Sequence, residues 1–140
     1  DNHSQSNKNV LRGLHFQRTK PQGKLVRVVY GSVLDVAVDI RKNSASYGKW
    51  YSTELSSANK RQFWIPPGFA HGFLTLSDKA DLEYKCTDYY SKESELALSW
   101  DDPEIAINWD IKDPFLSKKD SEASSLKKLR EKNKLPSFKV

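Results

Sequence analysis

The segment Val33-Leu34-Asp35-Val36-Ala37-Val38-Asp39-Ile40 decides the fold. Leu34, Val36 and Val38 alternate with Val33, Asp35, Ala37 and Asp39, the two-residue period of a β-strand whose side chains point to opposite faces. One face is apolar and the other carries two carboxylates. On an inward face Asp35 and Asp39 line a pocket; on an outward face they are solvated charges, and taken singly each reads as solvated. The same texture continues on both sides. Val10–Arg18, Leu25–Tyr30, Lys49–Leu55, Gln62–Pro66, Gly72–Leu76 and Leu82–Thr87 are short runs rich in Val, Ile, Tyr, Phe and Trp. Turn formers separate them, among them Pro21-Gln22-Gly23, Lys42-Asn43-Ser44 and Pro66-Pro67-Gly68. Strand after strand with no helical pattern between predicts an all-β antiparallel sandwich or barrel.

The texture changes at Ser91. Residues 92–113 read as loop, anchored by Trp100-Asp101-Asp102-Pro103 and Trp109. One helix is predicted, over Ser124–Lys132, with Ser124 or Ser125 as its cap, Leu126 and Leu129 as a short apolar stripe, and Pro136 as its stop.

The chain has 140 residues, 37% hydrophobic and 11% aromatic, which suits one packed core and one domain spanning 1–140. Its net charge of +5 is unevenly placed. Residues 1–77 carry a balance of +7, residues 78–116 a balance of −7, and the basic tail 117–140 a balance of +5. The body is therefore neutral but polarised, which argues against a polyanionic partner such as nucleic acid. No apolar run approaches the roughly 20 residues of a membrane-spanning helix, and Asp1–Asn9 is polar throughout, unlike a signal peptide. The single Cys86 allows no internal disulfide and reads as buried and inert, so a reducing cytoplasm is expected.

Three histidines are present. His3 sits in a polar end segment. His15 shares a short run with Arg12, and Lys24 follows one hairpin later; two cations beside an imidazole suit an anionic ligand such as a phosphate. A hydrogen-bonded core histidine is the competing reading. His71 follows the rigid turn Pro66-Pro67-Gly68, which fixes where an imidazole points, although a tight hairpin alone also explains it. Two histidines without a third ligand argue against a metal site. Tyr84 can serve as a general acid and Tyr90 can stack on a planar ring; packed strand tyrosines are the plainer alternative. Asp120, after Lys118-Lys119, reads by composition as a solvated charge.

Six motifs stand in unbroken order: Leu11-Arg12-Gly13-Leu14-His15-Phe16-Gln17, Gly23-Lys24-Leu25-Val26-Arg27-Val28-Val29, Asp35-Val36-Ala37-Val38-Asp39, Trp64-Ile65-Pro66-Pro67-Gly68-Phe69-Ala70-His71-Gly72-Phe73, Tyr84-Lys85-Cys86-Thr87-Asp88-Tyr89-Tyr90 and Trp100-Asp101-Asp102-Pro103. Together they resemble the dTDP-4-dehydrorhamnose 3,5-epimerase family. The resemblance implies a cupin-type jelly roll with a short C-terminal helix, usually a homodimer, working without cofactor or metal. It implies the substrate dTDP-4-dehydro-6-deoxy-D-glucose, inverted at C3 and C5 beside the 4-keto group to dTDP-4-dehydro-β-L-rhamnose. It also implies roles. His15 is the base, Asp120 orients it, Lys24 faces the developing enolate, and Tyr84 returns a proton from the opposite side. Asn2, Arg12, Lys24, His71, Glu95 and Lys119 match positions that hold the sugar nucleotide, and Tyr90 matches the residue that stacks on thymine. Asp120 is thereby read as functional, against its composition.

Two departures stand out. Family members typically begin several dozen residues earlier, with an Asp-x-Arg-Gly-x-Phe segment that serves the nucleotide site and the dimer; this chain is expected to lack it, at a cost to nucleotide affinity and dimer stability. The tail also reads as a longer and more basic helix than the family's usual ending. Two alternatives accompany the epimerase reading: a relative that inverts one carbon only, and a non-catalytic sugar-nucleotide-binding cupin.

Overall fold

In the computed structural model, which describes residues 1–137, nine strands and two short helices follow one another. The strands are β1 (Asn2–Asn7), β2 (Leu11–Gln17), β3 (Lys24–Tyr30), β4 (Ser32–Asp39), β5 (Trp50–Ser56), β6 (Gln62–Ile65), β7 (Phe69–Thr75), β8 (Lys79–Cys86) and β9 (Glu95–Ala97). The helices are α1 (Lys118–Ser121) and α2 (Leu126–Glu131). A five-stranded sheet in the order β5-β4-β7-β2-β9 faces a four-stranded sheet in the order β1-β8-β3-β6. Every pairing between these strands is antiparallel. This is the predicted all-β jelly roll.

Between the sheets lies a core of Val26 and Val28 from β3, Val33 and Ala37 from β4, Leu55, Ile65, Phe73, and Ala80 and Leu82 from β8. Val33 and Ala37 share their face of β4 with Asp35 and Asp39, so both carboxylates point into the sandwich and are fully buried. The solvated reading of these residues is therefore corrected. The reason is that β4 is covered on both faces. Its other face, Val36 and Val38, packs with Leu11, Leu14, Phe16 and Leu74 beneath a second layer of Ile105, Trp109, Leu126, Leu129 and Leu135. Period-two alternation identifies two faces of a strand; it does not say that one of them is wet.

Elements outside the apolar runs also differ from expectation. The polar end segment is an edge strand, β1, held by backbone pairing to β8 from Asn2↔Tyr84 to Asn7↔Lys79. Within the stretch read as loop, Glu95–Ala97 forms β9 on the edge beside β2. Its anchors are as expected. Trp109 donates its indole N–H to the Trp100 carbonyl at 2.8 Å. Buried Asp102 accepts from the backbone N–H groups of Glu104, Ile105 and Leu126 at 2.9, 3.2 and 2.8 Å.

The predicted C-terminal helix is present but shorter. Ser125 is its cap, its hydroxyl accepting from the Lys128 N–H, and Leu126 and Leu129 are buried. It ends at Glu131 rather than at Pro136. Asn133 takes a positive φ of 53°, and the Asn133 and Lys134 N–H groups return to the carbonyls of Arg130 and Leu129. That left-handed closure satisfies the last carbonyls of the helix without a proline. The final tail residues 138–140 lie outside the described residues. Among those described, no helix is long and apolar enough to cross a membrane.

Candidate active site

A cleft of about 760 Å³ opens between the two sheets, lined by residues that include Asn2, His15, Lys24, Tyr84, Tyr90 and Glu95. Its size suits a small organic ligand. Six of the residues singled out from sequence thus meet at one place. The other four stand behind or beside it: Asp120 supports His15, His71 is buried beneath Tyr84, Lys119 pairs with Glu95, and Arg12 reaches toward β1.

His15 owes its position to an irregularity in β2. The register of β2 against β7 shifts between Arg12 and His15. Gly13 occupies the shift with φ 108°, and a Cβ there would stand 2.6 Å from the His71 carbonyl oxygen. Only glycine combines this φ with so close an approach of two backbones. The same Gly13 donates its N–H to Asp120 Oδ2 at 3.1 Å. Asp120 Oδ1 lies 2.6 Å from His15 Nε2. Asp120 is itself pinned by α1, where the Ser117 hydroxyl accepts from the Asp120 N–H at 3.1 Å. Burial alone would raise the Asp120 carboxyl, but the hydrogen bond and charge of His15 outweigh it and hold the group below its ordinary value. With Nε2 bound to a carboxylate, Nδ1 is the nitrogen that can accept a proton. It lies 3.9 Å from Glu95 Oε1.

Glu95, on β9, joins the rim to the base. Its Oε2 accepts from the Tyr90 hydroxyl at 2.7 Å and lies 2.7 Å from Lys119 Nζ. Burial would raise this carboxyl, yet the hydrogen bonds from Lys119 and Tyr90, with His15 nearby, keep it below its ordinary value. Tyr90 is 63% exposed, so its ring face is available at the cleft mouth. Arg12 donates from Nε to the Ser6 hydroxyl of β1 at 2.9 Å, linking the two sheets on the side of Tyr84.

Tyr84 faces the cleft from the opposite sheet, in register with Asn2 and Val26. Burial, reinforced by Cys86, Glu95 and Tyr90 and opposed by Arg12, pushes its phenol up to about 12. The hydroxyl therefore keeps its proton at neutral pH. Lys24 Nζ lies 5.4 Å from the centre of the Tyr84 ring. Burial pushes the Lys24 ammonium down, and Cys86, Glu95 and Asp35 oppose the fall.

Two residues were missed or misplaced by sequence reasoning. Cys86 is half-buried in the cleft wall rather than sealed in the core, and burial pushes its thiol up, which keeps it unreactive. Asp35 is fully buried, with both carboxylate oxygens at 2.9 and 3.0 Å from His71 Nε2. Its signal was present in the charge on an otherwise apolar strand. His3 stands apart from the cleft, 3.5 Å from Asp81. Among the described residues no group of three His, Cys, Asp or Glu side chains converges to hold a metal ion.

Chemically, the cleft sets a carboxylate-backed imidazole on one sheet against a protonated phenol on the other, with the Lys24 side chain near the phenol. Such an arrangement can remove a proton from one side of a carbon and deliver one to the other.

Known proteins resemble this chain in sequence and in fold. The sequence profile of the dTDP-4-dehydrorhamnose 3,5-epimerase family matches residues 1–128. The dTDP-4-dehydrorhamnose 3,5-epimerase of Escherichia coli (strain K12) is 62% identical over 110 residues, covering 78% of this chain and 60% of that protein. The chain therefore accounts for well under the full length of that relative. The crystal structure of dTDP-6-deoxy-D-glucose-3,5-epimerase from Legionella pneumophila Philadelphia 1, in complex with dTDP-4-keto-L-rhamnose, superposes with a TM-score of 0.94 at 52% identity, covering 99% of this chain and 74% of that one. A 3'-monoepimerase from Streptomyces bikiniensis, in complex with dTDP-quinovose, superposes with a TM-score of 0.92 at 31% identity, covering 97% of this chain and 70% of that one.

Proposed function

Because the chain belongs to the dTDP-4-dehydrorhamnose 3,5-epimerase family, we propose that it epimerises dTDP-4-dehydro-6-deoxy-D-glucose at C3 and C5, giving dTDP-4-dehydro-β-L-rhamnose. The observation that carries this reading is the His15–Asp120 pair facing Tyr84 across one cleft. The 4-keto group acidifies the hydrogens on both neighbouring carbons. His15 Nδ1 takes one of them, the C–H electron pair moves into the ketone, and an enolate forms. Asp120 stabilises the resulting imidazolium through Nε2. Lys24 stabilises the charge on the enolate oxygen. Tyr84 gives its proton to the same carbon from the opposite face, which inverts it. Solvent then restores the proton to Tyr84 and removes one from His15, so no net proton is gained or lost. The reaction uses no metal or cofactor.

In the same reading Asn2, Arg12, His71, Glu95 and Lys119 hold the sugar nucleotide, with Tyr90 stacked on thymine. Asn2 and Glu95 line the cleft, Tyr90 offers an exposed ring at its mouth, and Lys119 is half exposed beside it, which supports their part. His71 is buried behind the cleft wall, beside Tyr84. A homodimer belongs to the proposal as well. It is supported by apolar side chains left exposed, among them Val29 and Trp64.

Turnover in deuterium oxide tests the proposal. One solvent deuteron is expected at each of the two carbons flanking the ketone, and none with His15→Ala. Unexchanged sugar nucleotide at saturating protein overturns it. A second reading, inversion of one carbon, is favoured by the close superposition on the 3'-monoepimerase. It predicts one deuteron per product molecule. Binding of dTDP seen by calorimetry without any exchange identifies a non-catalytic cupin instead.

A further inference from the structure

Gln17 is the polar residue of the β2 motif that the mechanism above leaves without a task. It is 5% exposed and lies in the cleft wall. A glutamine amide offers one acceptor oxygen and two N–H donors. Here Oε1 accepts from the Ser91 N–H at 2.8 Å. Nε2 donates to the Lys20 carbonyl at 2.8 Å and to the Tyr89 carbonyl at 3.4 Å. Two of these three partners flank Tyr90, one on each side. Residues 87–94, which carry Tyr90 between β8 and β9, are neither strand nor helix. The ring is held at its other end as well. The Tyr90 hydroxyl donates to Glu95 Oε2 at 2.7 Å, and Glu95 stands opposite Gln17 in the β2–β9 ladder. One rung of the sheet therefore grips Tyr90 by its backbone and by the tip of its ring. The third partner, Lys20, belongs to the connection from β2 to β3. From that connection the Gln22 side chain donates to the Asp88 carbonyl at 2.8 Å, so the two connections close on each other beside the Gln17 amide.

We propose that Gln17 is a positioning residue for the nucleotide end of the substrate: it holds residues 89–91 so that the exposed Tyr90 ring stands ready as a stacking surface. The proposal rests on the reading that Tyr90 stacks on thymine. A ring 63% exposed on an irregular connection would otherwise sample several rotamers, and ordering it would cost affinity at the moment of binding. Fixing it beforehand removes that cost. His15 lies two residues back on the same strand, so the stacking ring and the imidazole are mounted on one rigid element.

Calorimetric titration with dTDP in a double-mutant cycle tests the proposal. Tyr90→Ala removes the stacking ring and should weaken dTDP binding about tenfold. Gln17→Met keeps the length of the side chain and loses all three hydrogen bonds; it should weaken binding by about three- to tenfold. The double variant should bind no more weakly than Tyr90→Ala alone, because without the ring there is nothing left to position. Unchanged affinity in Gln17→Met, or losses that multiply in the double variant, overturns the proposal. Where Gln17→Met does not fold, Gln17→Glu, which keeps the acceptor and loses both donors, takes its place in the cycle. Hydrogen exchange tests the grip without ligand: the Ser91 N–H should exchange slowly in the unmutated chain and faster in Gln17→Met. Fast exchange in the unmutated chain overturns the proposal. In turnover KM should rise by the factor lost in dTDP affinity, with kcat moving less; a fall in kcat at unmoved KM overturns it. If the cycle couples as expected and the unmutated chain shows no turnover, the role of Gln17 stands and the epimerase reading falls. If the unmutated chain binds no dTDP, both fall.

Discussion

Asp120 shows how little a residue's own neighbourhood in sequence says about its work. It follows two lysines in a polar tail, and composition makes it a solvated charge; only the motif resemblance singles it out. In the structure it is 3% exposed and bonded to His15, 105 positions away in the chain. Asn at this position keeps the shape but can donate as well as accept, so it no longer enforces a proton on Nε2 and no longer offsets an imidazolium. Asp120→Asn should lower kcat by about 10²-fold or more while moving KM little. Steady-state kinetics beside His15→Ala checks this, and an unchanged kcat removes Asp120 from the mechanism. The same pair has a pH signature. The folded Asp120 carboxyl lies below its ordinary value, so the stability it contributes is complete above that ordinary range and is lost as pH falls through the lower folded value. Asp120→Asn should remove that part of the acid dependence of stability.

Between residue and molecule, the bulge in β2 converts a strand into a catalytic platform. Gly13 departs from strand geometry, lets β2 approach β7, turns His15 toward the cleft and donates to Asp120. In Gly13→Ala the new Cβ would collide with the His71 carbonyl and with Gly72 Cα, both backbone atoms that cannot simply rotate away. A stability loss of about 1–3 kcal/mol is expected in denaturant titration. Activity should fall further than the folded fraction does, because the platform under His15 moves. A variant with normal turnover per folded molecule would separate the bulge from the site. The elements of this fold are legible in sequence where they bury apolar side chains. β3, β4 and β6 follow from Val, Ile and Phe at strand spacing, and α2 from Leu126 and Leu129. β1 and β9 are not legible, because edge strands are held by backbone hydrogen bonds that any sequence can make. The start of β7 is hidden for a related reason: Phe69–His71 follow the Pro66-Pro67-Gly68 turn directly, and the turn and the strand compete for the same stretch. Gly13 is visible as a glycine in an apolar run, but its pairing with Gly72 joins positions that only the sheet brings together.

At the scale of the whole molecule, the tail is a structural layer rather than an appendage. Its described cations, from Lys118 and Lys119 to Lys132 and Lys134, are exposed, while Leu126, Leu129 and Leu135 close the outer side of the five-stranded sheet and Asp120 reaches through to His15. The charge pattern therefore reports how the chain is covered, not what it binds. The far end of the tail is fastened to the body at a second buried carboxylate. Asp39 is held by both ends of the Arg41 guanidinium at 2.9 Å and by the hydroxyls of Ser44 and Ser46. Arg41 also lies over the Phe69 ring at 4.8 Å, and the next residue, Lys42, donates its N–H to the Pro136 carbonyl at 2.8 Å. Burial alone would raise the Asp39 carboxyl, but the hydrogen bonds from Arg41, Ser44 and Ser46 outweigh it and pull it from 3.8 down to about 2. Because the folded value lies below the unfolded one, the stabilisation is complete above about pH 4 and is lost as pH falls through about 2. It amounts to about 2 kcal/mol. Urea midpoints measured from neutral pH down to about pH 2 should fall across this window in the unmutated chain. Asp39→Asn should start less stable and show a flatter profile over the same interval, since it has no carboxyl left to protonate. Equal slopes in the two proteins would mean that Asp39 does not anchor the tail through its charge, and that the acid sensitivity resides at other carboxylates such as Asp120.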